Sequence, residues 1–259
     1  WYKALNLQVV SYALPALIAV GLVIYRCNPP RNPMVRLLRG AVTQPVLEKL
    51  ATLQPSNGGF LEATPLTCFV AMSLIPVAGT SHPVVEKCLD FARASQRPDG
   101  SWPIDTNLSV WATSGAVAAL AASDALDRID TARTARWLAD RQYRETHPFT
   151  GAAPGGWGWT HLPGGVPDAD DTSGAILALS ALSHLLWDRA GVGGQRNSEE
   201  TTFQGQFPSP PTPNTQPPSP VKWLIYLQNS DGGWPTFCRG WGKLPFDKSS
   251  PDNTAQHRK

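Results

Sequence analysis

Gln54-Pro-Ser-Asn-Gly58-Gly59-Phe60, Gln96-Arg-Pro-Asp-Gly100-Ser101-Trp102 and Gln228-Asn-Ser-Asp-Gly232-Gly233-Trp234 are copies of one pattern, Gln-x3-Gly-x-aromatic. Each Gln closes an apolar stretch: LEKLATLQ, CLDFARASQ and WLIYLQ. A further copy joins Trp137–Gln142 to Gly155-Gly156-Trp157 across a longer insertion, so the steps from Gln54 to Gln96 to Gln142 are 42 and 46 residues. After the aromatic comes a short loop and then a small-residue apolar run, as in Thr113-Ser-Gly-Ala-Val-Ala-Ala-Leu120 and Thr172-Ser-Gly-Ala-Ile-Leu-Ala-Leu179. Ala and Leu favour helix, and Gly and Ser let neighbouring helices approach closely. The repeating unit is therefore helix, Gln–Gly–Trp turn, helix.

A unit of this length cannot bury its own apolar face and must stack on its neighbours. The expected fold is all-α, with two concentric helical layers closing into an α/α barrel. No alternating segment of useful length competes as a strand. At the turn, Gly supplies positive φ where a helix ends, the Gln amide bonds freed backbone groups, and Trp covers the junction. These residues are expected to be scaffold.

Composition narrows the function. A formal net charge of +2 over 259 residues gives no basic field for nucleic acid. Cys27, Cys68, Cys88 and Cys238 lie far apart without a CxxC pair, indicating neither zinc site nor disulfide framework. Leu7–Tyr25 is nearly long enough to span a bilayer, and reads as a spanning helix, a core helix or a segment dipping into one leaflet. Residues 191–220, rich in Pro, Ser and Gln, read as a flexible insertion between helices.

The chemistry concentrates in Pro167-Asp168-Ala169-Asp170-Asp171-Thr172, at the mouth of a small-residue helix. Three carboxyls this close cannot all ionise cheaply, so one proton is retained and the titration belongs to the group. The same segment also suits a plain helix start, where Pro167-Asp168 and Asp171-Thr172 are ordinary residues.

Together, the Gln–Gly–Trp repeats and the P-D-x-D-D-T segment resemble the QW motifs and acid motif of squalene–hopene and oxidosqualene cyclases, the class II terpene cyclases. The resemblance covers most of the chain outside 191–220. It implies that residues 1–90 form part of the inserted α/α-barrel domain and 91–259 part of the DxDD-bearing α/α-barrel domain. It implies a monotopic enzyme on the cytoplasmic side of a membrane, acting on a polyprenyl hydrocarbon such as squalene without metal or cofactor, and it is compatible with a homodimer. Asp170 would donate the proton that starts carbocation cyclisation, tuned by hydrogen bonds from Asp168 and Asp171. Trp111, Trp159 and Phe237 match positions whose aromatic faces stabilise the migrating cation.

Departures from the family pattern accompany the likeness. Ser250-Pro-Asp-Asn-Thr-Ala255 starts a next helix, but the chain stops at Lys259. Gln256 stands where the family carries a His supporting the acid. The chain accordingly reads as an incomplete cyclase. The alternative reading is a catalytically inactive α/α-toroid fragment that binds lipid or protein.

Overall fold

The computed structural model describes residues 14–148, 150–189, 219–237 and 248–251, with the side chains of 185–189 left aside. The chain folds as α1 (Leu14–Cys27), α2 (Pro33–Leu53), α3 (Thr64–Ala78), α4 (Pro83–Ser95), α5 (Ser109–Ala122), α6 (Thr131–Ala139), α7 (Ala169–Arg189) and α8 (Pro220–Leu227). Two single-turn 3-10 segments, Phe60–Glu62 and Leu126–Arg128, complete the order. Among the described residues there is no β-strand, and the all-helical expectation holds.

Helix starts follow local chemistry. Pro33, Pro83 and Pro220 open α2, α4 and α8, where a missing N–H costs nothing. Asn32, His82 and Ser219 precede them as caps, and Asp130 Oδ1 accepts from Arg133 N at the start of α6 (2.9 Å). Ser219 and Pro220 thus belong to a helix start, which corrects the far boundary of the expected 191–220 insertion; its residues 191–218 lie outside the described ones.

The three described turn regions fall between α2 and α3, α4 and α5, and α6 and α7, and a fourth follows α8. Of the helices before the turns, α4, α6 and α8 are amphipathic in the ordinary way: α6 buries Thr131, Ala135 and Leu138 and turns Arg133 outward. The helices after the turns, α3, α5 and α7, are apolar on nearly every side. Buried residues form one cluster from Ala19 to Cys88, built on α1–α4, and a second from Val110 to Leu182, built on α5–α7. In the second, α5 and α7 pack directly on each other, and a Cβ on Gly174 would sit 3.5 Å from the Ser114 Cβ.

Each turn repeats the same bonds. Gln54, Gln96, Gln142 and Gln228 all donate their side-chain amide to a turn glycine carbonyl, at 3.1, 3.2, 2.9 and 2.8 Å. Those glycines, Gly58, Gly100, Gly155 and Gly232, have φ of 85°, 85°, 125° and 84°, a region that an L side chain rarely adopts. The Gln amide therefore bonds the turn itself rather than the freed helix carbonyls. The indoles serve those carbonyls: Trp102, Trp157 and Trp234 Nε1 donate to Ala92, Leu138 and Leu224 O at 2.8 Å each, in every case four residues before the Gln. The aromatic is a helix C-cap as well as a cover.

A third element of the turn was not read from the pattern. Asn57, Asp99 and Asp231, each three residues after the Gln, accept from the backbone N–H two residues on. These are Asx turns, which stabilise the reversal locally.

Of the apolar segment Leu7–Tyr25, residues 7–13 lie outside the described ones, and the remainder falls in α1. No helix among the described residues is long and apolar enough to cross a membrane.

Candidate active site

The acid motif sits where the sequence places it, at the first turn of α7. Asp168 N donates to Trp157 O (3.0 Å), which ties the start of the helix to the turn tryptophan. Thr172 Oγ1 accepts from Trp157 N (2.9 Å), so the Thr of the motif is a structural bond between turn and helix. Asp168 Oδ1 accepts from Asp171 N (2.8 Å), making Asp168 the N-cap of α7. The cap role and a proton-holding role coincide in one residue, because a carboxyl has a second oxygen to spare.

The three carboxyls differ in access. Asp168 and Asp171 are 2% and 5% exposed, whereas Asp170 is half-buried at the open side of the helix. Asp171 Oδ1 is buried with no hydrogen-bond partner. Burial pushes Asp168 well above the usual carboxylate range, and the neighbouring Asp171 carboxylate adds to it. Burial likewise raises Asp171 to about 6, against the pull of its hydrogen bond to Asp168, with the Asp170 charge adding to the rise. The pair holds a proton at a pH where an ordinary aspartate has lost it.

This has a measurable consequence for stability. With Asp171 raised from its usual 3.8 to about 6, the folded state binds a proton that the unfolded chain has released over that window. The associated stability is present below about pH 4 and lost as the pH rises through about 6, on the order of 3 kcal/mol for this group. His147, lowered by burial, runs the other way, and the exposed Asp99 and Asp231, lowered by hydrogen bonds, do so at lower pH. In the difference between the wild type and Asp171→Asn those contributions cancel, while Asp168, which the Asp171 charge also raises, adds a change in the same direction. That difference is expected to move in favour of the variant by roughly 3 kcal/mol from pH 4 to pH 7 in urea unfolding. A flat difference would show that Asp171 titrates normally.

The long insertion between Gln142 and Gly155 has a purpose visible in its bonds. Tyr143 N donates to Gly156 O (3.0 Å) and Gly155 N to Tyr143 O (2.8 Å), closing the insertion at its base so that the turn keeps its geometry. Tyr143 OH then donates to Gly165 O (2.8 Å). His147 Nε2 lies 3.1 Å from the same carbonyl, while Nδ1 accepts from Thr150 N, a pattern that fits the neutral Nε2–H tautomer. Burial pushes the Tyr143 phenol up, and the charges of Asp168, Asp171 and Glu62 push it further. Neither Tyr143 nor His147 was singled out from the sequence. The insertion was the available signal, since a repeat is lengthened only at this copy.

The expected aromatic residues meet helix starts through their backbones, Trp111 and Trp159 at α5 and Phe237 at α7. Trp159 O accepts from both Val110 N (3.0 Å) and Trp111 N (3.2 Å), so the first turn of α5 is capped by Trp159. Phe237 O accepts from Ala169 N (2.9 Å), which brings the segment after the last turn onto α7. Trp111 is 55% exposed, and Trp159 is partly buried with its Nε1 buried and unpartnered. Gln256 and His257 lie outside the described residues.

Register relates the two helices. Thr113-Ser-Gly-Ala on α5 and Thr172-Ser-Gly-Ala on α7 are equivalent, so Trp111 stands at the position of Asp170. The open positions that follow in the same rows are Gly115 and Ala118 on α5, and Gly174 and Leu177 on α7. α5 and α7 pack side by side, and each carries such a row of small and apolar residues. Asp170 is the carboxyl at the head of the α7 row. Among the described residues, no group of His, Cys, Asp and Glu has the arrangement of a metal site.

No family model matches the chain. An enfumafungin synthase of Hormonema carpetanum is similar to it, 27% identical over 161 residues that make up 58% of this chain and 10% of that protein. The chain thus spans only about a tenth of the length of that relative. The similarity supports a relationship to terpene cyclases.

Proposed function

We propose that this chain carries the acid site of a class II, squalene cyclase-like triterpene cyclase. In this reading the repeats close into an α/α barrel whose inward strip holds the substrate. The observation that carries it is the difference among three adjacent carboxyls: Asp168 and Asp171 are buried together, and the third, Asp170, is half-buried at the head of the α7 row. Asp170 protonates a terminal alkene of a polyprenyl hydrocarbon such as squalene. The Asp168–Asp171 pair holds its proton supply, and the proton it retains hydrogen-bonds the carboxylate that Asp170 leaves behind. The faces of Trp111, Trp159 and Phe237 stabilise the resulting cation as the rings close, until loss of a proton or capture of water ends the sequence.

The membrane side of the reading rests on α2. Met34, Leu37, Leu38 and Val42 are 71, 73, 61 and 46% exposed, along one arc of that helix. Tyr25 OH bonds Arg36 O on the other side (3.0 Å), so α1 does not cover the arc. Arg26, Arg31, Arg36 and Arg39 surround it, and residues 14–47 contain no acidic side chain. Such a face suits the surface of an anionic bilayer, from which a hydrocarbon substrate would enter.

Incubating the chain with squalene in anionic phospholipid vesicles, without added metal, tests both halves. The expected result is vesicle flotation of the protein and cyclic products by mass spectrometry. Flotation of folded protein with no cyclic product would favour the inactive, lipid-binding toroid over the enzyme. No flotation would remove the membrane half.

A further inference from the structure

Glu62 is fully buried, yet the repeat gives it no scaffold role. It and Leu61 are consecutive non-glycine residues in the left-handed region, at φ 55° and 58°. Such a backbone costs about 1–2 kcal/mol per residue and persists only where surrounding bonds fix it. What fixes it here is the carboxyl. Glu62 Oε1 accepts from Asn57 Nδ2 (2.6 Å) and from Gly164 N (2.8 Å), and Oε2 accepts from Thr106 Oγ1 (2.9 Å). Thr106 N also donates to Glu62 O (3.0 Å). One side chain therefore joins the first turn, the loop before α5 and the loop before α7.

The loop before α7 is the segment that feeds the acid motif. Gly164 through Asp168 are all buried, so their backbone groups need protein partners. Glu62 holds the N–H of Gly164, and Tyr143 and His147 hold the carbonyl of Gly165 from the opposite side. The fit leaves no slack: a Cβ on Gly164 would lie 2.6 Å from Gly59 O and 2.7 Å from Glu62 N. Three residues separate this clamp from Asp168.

We propose that Glu62 is a positioning residue for the carboxyl pair: by clamping Gly164 it sets where Asp168 stands against Asp171 and keeps water from the pair. The idea rests on the reading of the pair as the acid site, but its test needs no substrate and so fails separately from the cyclase reading. Carbon-13 NMR titration of the aspartate carboxyls would compare wild type, Glu62→Gln, Thr106→Val and Val70→Ala. The charged or titratable groups around the pair are Asp170 on α7, Tyr143 and His147 on the insertion, and Glu62 itself.

Glu62→Gln is expected to lower the Asp171 titration by about one pH unit. Thr106→Val keeps the Glu62 charge and loosens its hold, and is expected to shift the same way by less. Val70→Ala opens a cavity in the first core cluster and is expected to lower the melting temperature while leaving the titration in place. An unchanged titration in Glu62→Gln overturns the proposal, as does an equal shift in Val70→Ala. A shift in Glu62→Gln with none in Thr106→Val also overturns it, since the effect would then be charge alone. Should Glu62→Gln fail to fold, Thr106→Val against Val70→Ala decides the matter on the same readout.

Discussion

Asp170→Asn is expected to reduce cyclic product from squalene by roughly 10³-fold or more, with substrate binding little changed. The asparagine keeps the size and the helix position but has no proton to give. Asp170 is the one carboxyl of the three that is not buried; Asp168 and Asp171 are 2% and 5% exposed. Removal of a group that acts only on the reacting alkene lowers kcat and leaves KM, which separates proton donation from a binding role.

The same variant gives a second readout that does not depend on turnover. The Asp170 charge contributes to the raised titration of both Asp171 and Asp168. Its neutralisation should lower the Asp171 titration from about 6 toward the ordinary range, because a like charge has been removed. Asp168→Asn should also lose product but through the pair: the asparagine still accepts from Asp171 N as a cap and cannot share a proton. Full turnover by Asp170→Asn would assign the donor elsewhere in the motif. Loss of product only in Asp168→Asn would make the buried pair itself the acid.

What the sequence made legible was whatever lies within a few residues of its cause. The Gln–Gly–Trp turn is local, so its repetition announces helix pairs before any packing is considered. The carboxyl cluster at the start of α7 was legible for the same reason, three carboxyls within four positions ahead of an apolar run. Even there the chemistry was only half readable. The Gln amide was expected at the helix end, whereas it bonds the turn glycine and the indole takes the helix carbonyl.

The residues that sequence reasoning missed act over distance. Glu62 reaches Gly164 across 102 positions, and it does so from a backbone conformation that no propensity favours for Leu-Glu. Tyr143 and His147 reach Gly165 from inside an insertion that breaks the repeat and therefore has no sister copy to compare. The Asx positions Asn57, Asp99 and Asp231 were in plain view, three residues after each Gln, but their meaning depends on knowing which N–H they accept. Local pattern specifies the scaffold; the clamp around the acid is a tertiary property that the scaffold makes possible.

The turn tryptophans look equivalent in sequence and should not be equivalent in energy. Trp157→Ala is expected to destabilise the fold by about 3–5 kcal/mol, and Trp102→Ala by about 1 kcal/mol. Both indoles make the same 2.8 Å bond to the carbonyl four residues before the Gln, so the lost hydrogen bond is common to the two. The difference is what surrounds the ring. Trp157 is 2% exposed within the cluster of Val110, Leu138, Ala178 and Leu182, whereas Trp102 is 49% exposed. Deleting the first leaves a cavity and a buried Leu138 carbonyl without its donor; deleting the second returns Ala92 O to water. Trp157→Phe separates the two contributions: it keeps most of the ring and loses the bond, and should cost about 1–2 kcal/mol. Trp157→Ala keeps the backbone N and O that hold Thr172 and Asp168, but the cavity opened beside them should disturb the Asp171 titration, which Trp102→Ala should leave alone. Urea midpoints with unchanged slopes would measure the stabilities. Equal losses at Trp102 and Trp157 would mean that the hydrogen bond, and not burial, is what each turn contributes.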